Sequence, residues 1–203
     1  VRYLAWSRDM WTPHFPRWFS QHSETIAQWS FLTATLLIGT KNFVESYIET
    51  GHISRDLIFS LPGTMDLIAT ACFFISSIMY GAAKKDPNKV RIGGLFAMIA
   101  ASCLIVGGWR GSFDDTSFWL HVAGMLPTVW AGFWLFQGKW LVAATPELVA
   151  RIPYAIGGYM QGDIGQIFSC LFAAMGDLGL IATGLKLREQ ERSKNPVTEP
   201  SPT

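Results

Sequence analysis

Charge is scarce in this chain. Acidic and basic side chains make up 15% of its 203 residues, where soluble domains carry about a quarter. The two signs nearly cancel, 16 basic residues against 15 acidic ones, for a net charge of +1. Such a chain has neither the basic surface of a nucleic-acid binder nor the acidic excess of a solvating protein, so no nucleic-acid partner is expected. Cysteine is equally sparse: Cys72, Cys103 and Cys170, with no CxxC pair and no Cys-His cluster. Neither a zinc site nor a disulfide framework is indicated, and each Cys reads as a small buried hydrophobe within an apolar run. There is no Walker loop, HExxH, GxSxG or Rossmann fingerprint, and no His pair spaced for haem or metal. No cofactor or metal is therefore expected, and an enzyme is disfavoured. The N-terminus has no continuous apolar stretch and does not read as a cleavable signal peptide.

What is abundant fits a membrane. Half of the residues are apolar, with nine Trp, fourteen Phe and nineteen Gly. Trp favours bilayer interfaces, and Gly is better tolerated in spanning helices than in soluble ones. Residues 67–83, 92–109 and 116–138 carry no charge at all. About 20 apolar residues in a helix cross the hydrocarbon core. The chain therefore reads as an all-α integral membrane protein whose first partner is the lipid bilayer.

Three domains of unequal weight are expected. Residues 1–23 interleave Arg2, Arg8 and Arg17 with Trp6, Trp11 and Trp18, a pattern suited to the headgroup layer. Residues 24–187 form the membrane domain, with spans near 24–39, 56–83, 92–109, 118–137, 141–160 and 164–187. Residues 188–203 are polar and end in a Pro-rich stretch, as a disordered cytoplasmic tail would. Segment 141–160 is the ambiguous one, readable as a surface helix or a broken fifth span. If it crosses, twelve basic residues share the side of both termini, and only Lys41, Arg55 and Arg110 face the other. If it does not, the division is nine against seven. The positive-inside bias selects the crossing topology. The expectation is a six-helix transmembrane bundle in an inner, cytoplasmic membrane of bacterial type, with both termini cytoplasmic.

Six spans also suggest a three-plus-three inverted repeat. Asp56-Leu57-Ile58-Phe59-Ser60-Leu61-Pro62 matches Glu147-Leu148-Val149-Ala150-Arg151-Ile152-Pro153 as acid-Leu-β-branched-x-x-aliphatic-Pro. Ile92-Gly93-Gly94-Leu95-Phe96 matches Ile164-Gly165-Gln166-Ile167-Phe168. The architecture alone is similar to that of small sugar-efflux and vitamin-uptake transporters, although the Pro-Gln motif of one such group is missing. Pro62-Gly63 and Pro153 would then break spans 2 and 5 at matching places. A Pro leaves one backbone carbonyl without its donor, and such groups are tolerated in hydrocarbon where they line a cavity.

Two acids lie deep in apolar spans, Asp66 and Asp177. An intramembrane carboxylate is costly and rarely idle. Neither has a basic residue one turn away, so each needs a partner from another span or from water. Arg151, the only basic residue inside a span, has Glu147 four residues before it, the favourable order for a local pair. His121 reads as an interfacial histidine. Trp130, Phe133 and Trp134 form an aromatic stripe able to stack on a planar solute or cation, although lipid contact or packing is the commoner role.

The expected ligand-binding set is Asp66, Asp177, Pro62, Gly63, Pro153, Trp130 and Trp134. The favoured function is a small membrane transporter or channel for a small molecule or ion. The alternatives are a non-transporting subunit of a larger membrane complex, a homo-oligomer being included, and a membrane enzyme without a legible motif.

Overall fold

A computed structural model describes residues 15–53, 55–82, 86–108 and 116–194. All regular structure among these residues is helical. In chain order the helices are α1 (Arg17–Thr50), α2 (Arg55–Phe59), α3 (Leu61–Gly81), α4 (Pro87–Gly108), α5 (Thr116–Phe136), α6 (Trp140–Met160) and α7 (Ile164–Lys194). Four segments are long and apolar enough to cross a membrane: Leu61–Gly81, Asn88–Gly107, Phe118–Phe136 and Ile164–Gln190. The long helices carry large apolar side chains facing outward, among them Phe74, Ile99, Leu126, Ile152 and Phe168. In water such a surface would drive association. On these grounds the chain is read as a membrane protein.

Helix boundaries follow from local chemistry. Ser60 caps α3 by accepting from the Gly63 amide at 3.2 Å, and Pro62 sits in the first turn. There its missing N–H costs nothing. Asp86 accepts from the Asn88 amide at 3.0 Å just before Pro87 opens α4. Asp163 caps α7 by accepting from the Gln166 amide at 2.9 Å. Gly138 and Gly162 adopt φ of 75° and 69° in the tight connections between α5, α6 and α7, a conformation that strains other residues. Connections this short make the neighbouring helices antiparallel.

The helices close into a ring. α1 packs on α3 and α7, and α3–α4, α4–α5, α5–α6 and α6–α7 pack in sequence. Small residues allow the closest contacts. A Cβ on Gly132 of α5 would lie 2.5 Å from the Gly94 carbonyl of α4. One on Gly179 of α7 would lie 2.7 Å from the Ser23 carbonyl of α1. Ser23 and Thr183 share a hydrogen bond of 2.8 Å across that seam, and Ser169 donates to the Ala34 carbonyl at 3.0 Å.

Several sequence expectations need correction. Residues 17–23 form the first turns of α1, continuous with the helix that follows. Residues 1–14, with most of the aromatic and basic pattern, lie outside the described residues. Residues 188–194 extend α7 rather than beginning a disordered tail. An existing helix propagates cheaply through Arg188–Lys194, which contains good helix formers and no Pro. Residues 195–203 also lie outside the described set. Segment 140–160 is one uninterrupted helix, with Pro146 and Pro153 inside it. The break expected at Pro153 is absent, because neighbouring packing holds the helix together around one missing donor. Near Pro62 the interruption falls at Ser60, ahead of the Pro.

Candidate functional site

The ring encloses a buried ion cluster between α6 and α7. Arg151 and Glu147 stand one turn apart on α6, so both project inward from the same face. The Arg151 guanidinium donates to Glu147 Oε1 at 2.5 Å. It also donates to Asp177 of α7, from Nε to Oδ2 at 2.9 Å and from Nη2 to Oδ1 at 3.4 Å. Asp177 is completely enclosed and Glu147 nearly so. The planar guanidinium suits this task because its donors point at two carboxylates at once.

A cavity of about 60 Å³ adjoins the cluster. Glu147 and Arg151 form part of its wall, with Tyr80, Ser76, Ser77 and Thr35 among the polar lining and Phe31, Phe73 and Met125 among the apolar lining. The Ser76 hydroxyl is buried beside that of Tyr80. Ser77, by contrast, donates to the Phe73 carbonyl within its own helix at 2.8 Å.

A second, larger cavity of about 210 Å³ lies at one end of the ring. It is lined by α1, α3, α4, α5, α6 and α7 and by the α6–α7 connection. Asp66, Gly63, Lys41, His121, Asp163 and Gln166 line it. Lys41 forms an ion pair with Asp163, which ties α1 to the cap of α7. Gln166 donates from Nε2 to the Tyr154 carbonyl at 2.8 Å. The His121 ring stands 5.0 Å from that of Tyr154. Four side chains line both cavities: Ile38, Thr70, Leu104 and Tyr154. They form the wall between the end cavity and the inner one.

The structure therefore divides the residues singled out from sequence. Asp66 and Gly63 belong to the end cavity, and Asp177 belongs to the inner cluster. Asp177 finds its counter-charge on another helix, as an intramembrane acid requires. The pairing of Arg151 with Glu147 alone is incomplete, since Arg151 serves both acids. Pro62 and Pro153 are absent from the linings of both cavities, as are Trp130 and Trp134. Trp130 is 53% exposed on the outer face and meets Trp134 edge-on at 5.5 Å. Trp134 turns toward the core, with Lys139 Nζ 4.5 Å over its ring. The aromatic stripe is thus packing and outer surface.

Lys41, Asp163 and Gln166 were missed from sequence, and Glu147 was read only as the partner of Arg151. Asp163 and Gln166 carry the one legible signal, an acid three residues before an amide at a helix start. No group of three His, Cys, Asp or Glu able to hold a metal occurs among the described residues. No family model, curated protein or solved structure matches the chain.

Proposed function

We propose that the chain is a six-span membrane transporter or channel for a small solute, with both termini on the cytoplasmic side. The observation that carries this reading is the pair of adjoining cavities. They lead from a polar end chamber holding Asp66 to a charged cluster inside the helix ring. A packed scaffold has no need of a polar end chamber and a mainly apolar inner one that holds two charged side chains, separated by four shared residues. α1 and α6 complete the six spans. α6 carries its ion pairs inward and Val149, Ile152 and Ile156 outward, as a spanning helix with a buried charge must.

The sequence match of Ile92–Phe96 near the start of α4 with Ile164–Phe168 at the start of α7 is what supports an inverted repeat relating α1–α4 to α5–α7. Pro62 opens α3 while Pro153 lies inside α6, so that match does not add to it. In this reading α3 and α6 move against their neighbours as the wall opens, and Asp66 meets the solute first.

The test is swelling of vesicles containing purified protein in a panel of small neutral and charged osmolytes. Wild-type protein is expected to admit one class. Asp66→Asn should insert and fold yet abolish that flux. Full flux in Asp66→Asn removes this residue from the mechanism. Reporter fusions that place the C-terminus outside defeat the six-span topology.

A second reading, a non-transporting membrane subunit, draws on the sealed and fully paired Asp177. Vesicles impermeable to every osmolyte favour it.

A further inference from the structure

The inner cluster holds two acids and one base. Among the described residues, the ion pairs of Glu147 and Asp177 are made with Arg151 alone. The other groups facing the cluster are neutral when uncharged side chains keep their ordinary forms. Tyr80 comes from α3, Thr128 from α5, Tyr154 from α6 and Cys170 from α7. α1 contributes Phe31, Ala34 and Thr35, and α4 contributes Ala97 and Leu104. The next ionisable groups, Lys41, Asp66, His121 and Asp163, stand in the end cavity beyond the wall. With both carboxylates ionised the cluster holds one net negative charge in an apolar interior, which is strongly unfavourable. One added proton makes it neutral.

The geometry distinguishes the two acids. Asp177 receives two N–H contacts from Arg151 and is wholly enclosed. Glu147 receives one from Arg151, through Oε1, has the Thr128 hydroxyl as a second, neutral hydrogen-bond partner, and lines the inner cavity. A cavity of about 60 Å³ has room for several waters, since one water needs roughly 10–15 Å³. Ser76 supplies a buried hydroxyl beside that of Tyr80 to the same space. Such groups are ordinarily satisfied by protein or water partners. Thr70 and Tyr154 continue the polar lining toward the end cavity.

The geometry points to Glu147 as a proton-binding site, reached from the end cavity through water held in the inner one. A proton from water adds to the Glu147 carboxyl oxygen that Arg151 does not hold. The cluster passes from one net negative charge to none. The return step gives the proton back to water, and no electron moves. This inference rests on the transport reading for its use, because it names the proton as the ion coupled to solute movement.

Infrared difference spectra of the full-length protein in lipid, recorded as pH is raised, test it directly. The expected signal is the carbonyl stretch of a protonated carboxylic acid that is lost at high pH and shifts in heavy water. It should move when glutamate carries a heavy carboxyl carbon and stay when aspartate does. It should vanish in Glu147→Gln and persist in Asp66→Asn. Isotope labelling assigns the band even if Glu147→Gln does not fold. A spectrum with no such band, or a band that follows the aspartate label, overturns the proposal. The transport reading fails separately. A glutamate band in a protein whose vesicles pass no osmolyte keeps the proton site and removes transport. Flux without that band does the reverse.

Discussion

The inner cluster and the end cavity solve the same problem under different solvent conditions. In each, a cation from another helix meets an acid of α7 or its cap: Arg151 of α6 meets Asp177, and Lys41 of α1 meets Asp163. Inside, the side chains of Arg151 and Asp177 are 13% and 0% exposed. At the end, those of Lys41 and Asp163 are 30% and 7% exposed. The base also differs. A guanidinium spans two carboxylates inside, while an ammonium on a flexible stem suffices near water. Breaking a buried pair strands a charge, and water cannot rescue it. Breaking the end pair, whose lysine is the more exposed partner, leaves groups beside a cavity that water can enter. The first arrangement holds α6 to α7, and the second ties α1 to the cap of α7.

Arg151→Met puts the greatest strain on this contrast. Two enclosed carboxylates lose their counter-charge, and the expected loss is about 3–5 kcal/mol of stability. Thermal unfolding of the detergent-solubilised protein measures it. An unchanged midpoint would mean that the cluster does not hold α6 to α7.

Asp177→Asn tests the same cluster more gently. Arg151 keeps Glu147 as partner but loses its charge-assisted bonds to Asp177. A loss of about 1.5–3 kcal/mol is expected, again by thermal unfolding. The ion pair with Arg151 makes the main effect of this substitution structural.

Leu104→Ala thins the wall where the two regions meet. In lipid the transfer contribution is weak, so the cost falls near the low end of core truncations, about 2 kcal/mol. A thiol introduced at Ser77 should then become reachable by a water-soluble maleimide, in a background lacking Cys72, Cys103 and Cys170. The same thiol should stay protected behind the intact wall.

Lys41→Met should cost least, below about 1 kcal/mol, as half-exposed ion pairs do. Asp163 keeps its other task as the cap of α7. A loss as large as that of Arg151→Met would erase the distinction between the two regions.

Much of the helix pattern was legible in the sequence. The charge-free runs at 67–83, 92–109 and 116–138 became α3, α4 and α5 nearly in register. Charge and apolarity act locally along a helix, so they are readable one segment at a time. Segment 141–160 was harder, because Pro146 and Pro153 argued for a broken element. Its continuity comes from its place between α5 and α7, which no local signal records. The site was legible as a set of suspicious residues and not as a partnership. Asp66 and Asp177 stood out because carboxylates are expensive in apolar spans. Trp130 and Trp134 stood out for their spacing, which reports a helical face and not which way that face turns.

The sequence by itself determined that this is a helical membrane protein. Scarce charge, long apolar runs and abundant Trp and Gly leave the backbone little choice but to satisfy its hydrogen bonds within helices. It also determined that Glu147 and Arg151 meet, since four residues of helix bring them together. Only the tertiary structure decided that Arg151 also serves Asp177, that Lys41 reaches Asp163, and that Asp66 faces a chamber distinct from the inner one. Those pairings join residues 26 and 122 positions apart. They depend on how the ring closes, and ring closure depends on close contacts such as Gly132 on Gly94 and Gly179 on Ser23. A sequence read segment by segment has no term for such contacts, because each half of the contact lies in a different helix.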